Sequence, residues 1–232
     1  MGSSESKQAG SRLQGANLSH VKFPQAVYLK YKNALSFQLH LCDEHSNPFY
    51  LITLPDGWYG KLVVYGGLSK DDLPLATVDQ SSALSRHSTV TLAPASQGQQ
   101  PIEEQLRMHS NGPLSVAYTF VIAVEGSPLP EKFEWRGSKN DDVKSLGERS
   151  WGWKLVRMGH DDEVVAVWAD VAITKSLHKT AKFEFKGSGA SGELGDVWKA
   201  MAVATFLRLW QLNSQGGVAA SNSASAAVAA GV

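Results

Sequence analysis

Two short segments of nearly identical sequence place basic side chains at alternate positions. Residues 132–138 read KFEWRGS, and residues 182–188 read KFEFKGS. In a strand, side chains two residues apart point to the same side, so the aromatic residues would face a core and the charged residues solvent. The candidates for binding an anionic phospholipid head group are Lys132, Arg136, Lys182 and Lys186. The alternative is a solvated strand face, because Glu134 and Glu184 stand between the basic residues.

The N-terminus matches the pattern for N-myristoylation, M-G-x-x-x-[ST], with the residues MGSSES. Removal of Met1 would leave Gly2 with the free amine that is acylated. One myristoyl chain binds membranes only marginally, so an acylated Gly2 would need a second contact from the folded part of the chain. The alternative is a Ser- and Gly-rich tail that matches the pattern by chance.

A glycine-rich segment at 187–192 reads GSGASG and follows a predicted strand, as a dinucleotide-binding loop does. Such a loop requires a second parallel strand with an acidic residue about twenty residues further on, whereas this segment leads into a helix and then a low-complexity tail. Glu193 and Asp196 would also repel a phosphate. The sequence therefore predicts no cofactor, and the segment is interpreted as a flexible turn before the helix.

The other titratable residues form no catalytic or metal-binding pattern. Residues 160–163 (HDDE) lack the spacing of a calcium loop and are interpreted as a polar hairpin turn, and the seven histidines lack zinc-site spacing. Cys42 precedes two acids, which raise a thiol pKa, and is interpreted as a strand residue. The sequence thus predicts no catalytic and no metal residues. An enzyme with a site assembled from distant residues is an alternative.

Composition narrows the class of partner. Lys plus Arg and Asp plus Glu both number 22, so the formal net charge is zero, which argues against nucleic acid as a partner. No apolar run reaches the ~18 residues that a transmembrane helix needs. With one cysteine and a polar start that does not resemble a secretory signal, we expect a cytoplasmic protein, peripheral at membranes if it is acylated.

The prevailing pattern between the two ends of the chain has a period of two. About twelve short alternating runs follow one another between turn signals such as PDG at 55–57 and GG at 66–67, which predicts an antiparallel sandwich or barrel. Residues 1–19 and 214–232 lack a periodic apolar face and are predicted to be disordered tails. An Ala-rich helix is the alternative for the second tail.

One segment, at about 193–213, has the composition of a helix and is apolar on all sides. From Ala200 to Leu207 only Thr205 is polar. A helix that is apolar all round must be buried all round, and a closed barrel is the structure that strands can build around one helix. The predicted fold is therefore mainly β: a closed antiparallel barrel of about twelve strands, at 20–213, around a buried C-terminal helix.

This organisation resembles the tubby C-terminal-like superfamily, which includes tubby proteins, phospholipid scramblases and plant LURP-one-related proteins, and it is similar to fungal members. The resemblance covers residues 20–213 and rests on the strand count, the segments 132–136 (KFEWR) and 153–158 (WKLVRM), and the helix at 194–212. It implies a twelve-stranded barrel enclosing a hydrophobic helix. Tubby proteins hold a phosphoinositide with Lys and Arg on the barrel wall, but those positions have no residue-by-residue match here.

The resemblance and the residues together predict a non-catalytic module. We expect a phosphoinositide- or anionic-lipid-responsive, membrane-associated adaptor, with a protein-interaction module that has no lipid ligand as the alternative. Lipid scrambling is not implied, because the palmitoylated cysteine cluster and Pro-rich N-terminal region of scramblases are missing. A small-ligand carrier is disfavoured, since a helix inside the barrel leaves little cavity.

Overall fold

Twelve strands form one closed antiparallel barrel in the computed structural model, which confirms the predicted fold class. The structure describes residues 4–33, 37–80, 87–110, 115–146, 151–171 and 179–230. Each strand pairs with its neighbours in sequence, and β1 pairs with β12 to close the barrel. The strands are β1 (Ala26–Tyr31), β2 (Gln38–Cys42), β3 (Pro48–Thr53), β4 (Leu62–Tyr65), β5 (Pro74–Gln80), β6 (Ser88–Leu92), β7 (Ile102–Ser110), β8 (Val116–Ile122), β9 (Glu131–Ser138), β10 (Gly152–Arg157), β11 (Glu163–Asp170) and β12 (Lys179–Phe185). A short helix, α2 (Asp141–Lys144), lies between β9 and β10.

The connections between antiparallel strands alternate between the two ends of the barrel. We call the end where helix α4 (Gly195–Ala230) begins the proximal end; it carries the connections that follow β2, β4, β6, β8, β10 and β12. The opposite, distal end carries the connections that follow β1, β3, β5, β7, β9 and β11. Helix α4 runs from the proximal end to the distal end. At the proximal end Leu194 O, just before the helix, accepts a hydrogen bond from Glu125 N, and at the distal end Gln211 donates to Trp58 O.

The alternation in the strands divides each of them between core and solvent. In β12, Phe183 and Phe185 are buried inside the barrel, whereas Lys182 and Glu184 lie on the outer wall and are half-buried. Leu39 and Leu41 of β2 are likewise fully buried. This period of two is what a sheet with one buried face requires, and it explains why the barrel could be predicted.

Helix α4 fills the barrel, as its all-round apolar composition predicts. Residues 200–210 are all buried. Phe206 packs against Trp168 and Phe183, with ring centroids 5.4 Å and 5.1 Å away. The one polar residue within 200–207, Thr205, bonds Met201 O at 2.9 Å and accepts from Trp135 Nε1 at 3.0 Å, so its burial leaves no hydroxyl unsatisfied.

The N-terminal segment differs from the predicted disordered tail at 1–19. Helix α1 (Ser4–Arg12) and a 3-10 turn (Leu13–Gly15) precede the first strand, and Leu13 and Leu18 join the main core. Disorder was the wrong prediction for residues 4–19, because a few well-placed apolar side chains bury themselves against the barrel although the segment has no periodic apolar face of its own.

Helix α1 covers part of the outer wall. Ala9 is buried with Leu51, Val63 and Tyr65 of β3 and β4. Glu5 accepts a hydrogen bond from Thr53 at 3.0 Å and pairs with Lys70 Nζ at 2.6 Å. Its contacts with the barrel, rather than the propensity of a polar nine-residue helix, hold this segment in place.

The C-terminal segment also differs from the predicted disordered tail. Helix α4 extends to Ala230, beyond the predicted end at about 213. Alanine has the highest intrinsic helix propensity, so a helix that is anchored in the barrel can continue through an Ala-rich sequence. Within the described part of the chain, no helix is both long and apolar enough to span a bilayer.

Candidate functional site

The four predicted lipid-binding residues do not form one surface. Lys132 and Arg136 lie on β9, whereas Lys182 lies on β12 and Lys186 directly follows it. Strands β10 and β11 separate β9 from β12 in the barrel wall. The paired basic stripe that would follow if these two strands were neighbours is therefore not present.

Three of the four have acidic partners, and the shortest of these contacts are made by Arg136 and Lys186. The Arg136 guanidinium donates to Glu134 and, at 2.7 Å, to Asp162. Both hydrogen bonds raise the pKa of Arg136, and the bond to Asp162 has the larger effect. Lys186 Nζ pairs with Glu184 at 2.6 Å. Glu134 and Glu184, which alternate with the basic residues in the sequence, thus pair with Arg136 and Lys186.

Lys182 and Lys132 line surface clefts that also contain carboxylates. Lys182 Nζ lies 5.7 Å from the Tyr28 ring centroid and 3.9 Å from Glu184, beside a cleft of about 550 Å³. Asp43 and Glu44 line the same cleft. Lys132 lines a cleft of about 400 Å³ whose residues include Glu103 and Glu104. Neither cleft offers an anion a site free of repulsion. Gly2 lies outside the described residues.

The barrel instead brings together other basic residues toward the distal end. In the pairing of neighbouring strands, Lys30 of β1 lies opposite His40 of β2 on one side and opposite Lys179 of β12 on the other. Lys32 follows β1 and is exposed. Among the described residues, neither Lys30 nor Lys32 takes part in an ion pair. The sequence does not reveal this group, because its residues belong to three different strands of the wall.

His40 adds a polar ring to this group rather than a charge. Its Nε2 atom is buried and has no hydrogen-bond partner among the described residues. Burial, and after it the charge of Lys32, lowers the pKa of His40. At neutral pH the imidazole is therefore uncharged, and the local positive charge comes from the lysines.

An aromatic cluster adjoins the basic residues at the distal end. The Phe37 ring is 49 % exposed, and the Tyr59 ring in the connection after β3 is 61 % exposed. Phe37 packs edge-on against Trp58 with ring centroids 6.0 Å apart, and Trp58 packs on Trp210 of α4 at 5.6 Å. The backbone of Lys32 donates to Gln38 O, which places Lys32 beside Phe37. The exposed rings thus stand on a base of packed aromatic side chains.

Buried polar contacts fix the distal end of α4 beneath these rings. Arg208 is 1 % exposed and donates to Ser88 at 2.9 Å and to Gln211 at 2.7 Å. Burial lowers the pKa of Arg208 to about 10. Gln211 Nε2 in turn donates to Trp58 O at 2.9 Å and Gly60 O at 3.1 Å. The connection that carries Tyr59 is therefore tied to the helix inside the barrel.

Charge is distributed unequally between the two ends, although the net charge is zero. Within the described connections, the proximal end has many more acidic than basic residues, and the distal end has a small basic excess. The proximal residues are Asp43, Glu44, Asp71, Asp72, Glu125, Asp161, Asp162 and Glu193 against Lys70 and Lys186. The N-terminal segment adds Arg12 and Lys22 at this end, and the acidic residues remain in excess. The distal residues are Lys32, Lys61, Lys139 and Lys144 against Asp56, Asp141 and Asp142.

The motifs that resemble catalytic or cofactor sites have structural roles. Most of the segment at 187–192 forms a short helix, α3 (Gly187–Ser191), where a flexible turn was predicted. A Cβ at Gly189 would collide with Val165 O and the Trp198 ring, so the glycine allows α3 to pack closely. Residues 160–162 of the turn predicted at 160–163 lie in the turn 158–162 between β10 and β11, whereas Glu163 begins β11. The described residues contain no cluster of three or more potential metal ligands.

Comparisons with known proteins found no matching family model, no similar curated protein and no similar solved structure. Functional inference therefore rests on the barrel, its two ends and their surface chemistry.

Proposed function

We propose that this chain is a non-catalytic, tubby-like barrel module that associates with anionic membranes through its distal end. The observation that carries the proposal is that the exposed Phe37 and Tyr59 lie at the same end of the barrel as Lys30 and Lys32, two lysines with no ion pair among the described residues. Aromatic rings favour the membrane–water interface. Each lysine near an anionic leaflet contributes about 1 kcal/mol.

The charge distribution supports this orientation. An anionic surface repels the proximal end, with its excess of carboxylates, and attracts the lysines of the distal end. The clefts beside Lys132 and Lys182 contain acidic residues, so the predicted residues on the wall are poorer candidates than Lys30 and Lys32. In this proposal the distal end, rather than the wall between β9 and β12, meets the head groups.

The tubby-like part of the proposal is supported by the twelve-stranded closed barrel with a C-terminal helix inside it. The proposed setting is the cytoplasmic face of a membrane, where anionic lipids are concentrated. Two lysines and two rings give a reversible attachment, and an acyl chain on Gly2 would supply a second signal of the kind that stable anchoring requires.

Vesicle co-sedimentation tests the proposal. We expect the chain to bind phosphatidylserine- or phosphoinositide-containing vesicles better than neutral phosphatidylcholine vesicles, and binding to weaken with salt. Replacing Lys30 and Lys32 together by Gln removes about 2 kcal/mol, a reduction in affinity of roughly 30-fold. The matched control is Lys132→Gln with Lys186→Gln, which removes the same charge from the wall.

Two results would contradict the proposal: binding that is indifferent to lipid charge and salt, or a loss of affinity in the control pair equal to that in the Lys30 and Lys32 pair. Acylated protein compared with its Gly2→Ala variant then measures the contribution of the N-terminus. If only Gly2→Ala abolishes binding, the distal surface is not the membrane contact.

A further inference from the structure

A cleft of about 530 Å³ opens at the proximal end, where helix α4 begins. Its floor consists of the buried side chains of Leu18, Val124 and Leu194, and the half-buried Val197 forms part of its wall. A cleft of this size and apolar character falls within the range of ligand-binding sites. It lies at the opposite end of the barrel from Phe37 and Tyr59 and takes no part in the proposed membrane contact.

Two exposed carboxylates stand at the rim of this cleft. Glu125 comes from the connection after β8, and Asp196 from the first turn of α4. A Cβ at Gly195 would lie 3.2 Å from the Glu125 side chain, so Glu125 packs over the start of the helix, next to Asp196. In the part of the chain that the structure describes, neither carboxylate has an ion pair.

We propose that the cleft binds a segment of a partner protein in which an apolar side chain adjoins Lys or Arg. The apolar side chain would fill the space above Leu194 and Val124. The neighbouring cation would lie between Glu125 and Asp196, where charge-assisted hydrogen bonds to two carboxylates are available. The acidic rim repels anionic ligands such as lipid head groups and nucleic acid, so charge complementarity selects a basic partner.

The proposal goes beyond membrane association. With the distal end on a membrane, the cleft faces away from the lipid and stays accessible, so one chain can bind the membrane and a partner at the same time. The two ends would then act as separate binding surfaces joined by a rigid barrel, which is the arrangement of an adaptor.

An NMR titration of the full chain with three short synthetic peptides tests the inference. The probe GKLLRG combines apolar and basic residues, GELLEG reverses the charge, and GKSSRG removes the apolar side chains. We expect GKLLRG to shift amide resonances around Val124, Leu194 and Val197, and to bind about tenfold more tightly than either control peptide.

The variant Glu125→Gln should weaken GKLLRG about fivefold or more, since one carboxylate is lost. Glu103→Gln, at an exposed acid outside the cleft, should leave the affinity within twofold. Because both side chains are exposed, melting curves should match those of the unsubstituted protein. Equal binding of the three peptides, shifts confined to the distal end, or an unchanged affinity of Glu125→Gln would overturn the inference.

Sedimentation velocity tests whether a second copy of this chain, rather than a partner protein, fills the cleft. A dimer that Glu125→Gln dissociates, and that competes with the peptide, would mean that a second copy of this chain fills the cleft, which would also overturn the inference. The peptide titration contains no membrane, so a negative result there would not count against the proposed membrane contact. A negative vesicle result would likewise not count against peptide binding in the cleft.

Discussion

Arg157 holds the proximal end of the barrel together, and replacing it gives the sharpest stability prediction. It is 8 % exposed at the end of β10. Its Nε and Nη2 atoms donate to the two carboxylate oxygens of Glu131, at 2.6 Å and 2.9 Å. Its Nη1 atom donates to Glu193, just before α4, at 3.1 Å. One guanidinium therefore links β9, β10 and the segment that leads into the central helix.

The variant Arg157→Met keeps the length of the side chain and removes the charge. It leaves Glu131, whose side chain is 11 % exposed, without its main counter-charge. Removing one partner of a buried ion pair costs about 3–5 kcal/mol. His160 Nε2 lies 3.5 Å from Glu131 and remains as a polar neighbour, so we expect the lower end of this range, about 3 kcal/mol. For a domain of this size that lowers Tm by roughly 6–12 °C.

The effect of this substitution should depend on pH. Hydrogen bonding to Arg157, the largest cause, lowers the pKa of Glu131 below its ordinary value. A carboxylate whose pKa is lower in the folded state stabilises the fold above the unfolded pKa of about 4.3, and this contribution is lost as pH falls through the folded pKa. The difference in Tm between the two proteins should therefore be largest near pH 7 and shrink below about pH 4.

Calorimetric melts at pH 7, 5 and 3.5 measure this difference. Arg107→Met is the matched control, because Arg107 is exposed on β7, and it should change stability by less than about 0.5 kcal/mol. A loss below about 1 kcal/mol for Arg157→Met, or a Tm difference that is constant across pH, would refute the reasoning.

Three further substitutions test other parts of the structure. Phe206→Ala should cost about 3–5 kcal/mol in chemical unfolding, whereas Leu129→Ala, at a side chain that is 72 % exposed, should cost less than about 0.5 kcal/mol; equal losses would contradict a buried helix. Phe37→Ser removes roughly 100 Å² of exposed surface, so vesicle affinity should fall by about 2 kcal/mol, while the lost packing on Trp58 lowers Tm by only a few degrees; unchanged affinity would remove Phe37 from the contact. Ala9→Asp buries a charge under α1 and should speed proteolysis of the N-terminal segment; unaltered cleavage would show that α1 is not packed as described.

The fold could be predicted because its two signals are local. Alternation in runs such as 182–186 marks a strand with one buried face, and the all-round apolar surface of 200–207 needs only helical geometry to be recognised. The N-terminal segment has no such signal. Leu13 and Leu18 are too far apart in sequence to indicate a face, and their burial depends on contacts with the completed barrel.

The candidate site was harder to predict because it depends on which strands are neighbours. Lys30 lies opposite Lys179 in the strand register only because the first strand pairs with the last, and that pairing joins residues far apart in the chain. The alternating sequence YLKYK at 28–32 was the available signal. The unequal charge of the two ends was hidden by the zero net charge, although assigning successive hairpin connections to alternate ends would have revealed it.

Hydrogen exchange in the presence of anionic vesicles tests the central claim most directly, because it reports which end of the barrel meets the membrane. We predict slower exchange in the described distal residues 30–33, 37–38 and 54–61 when phosphatidylserine vesicles are added. Exchange in the proximal connections 123–130 and 158–162 should not change, and neutral vesicles should protect neither end. Protection of the proximal connections, or equal protection of both ends, would contradict the account.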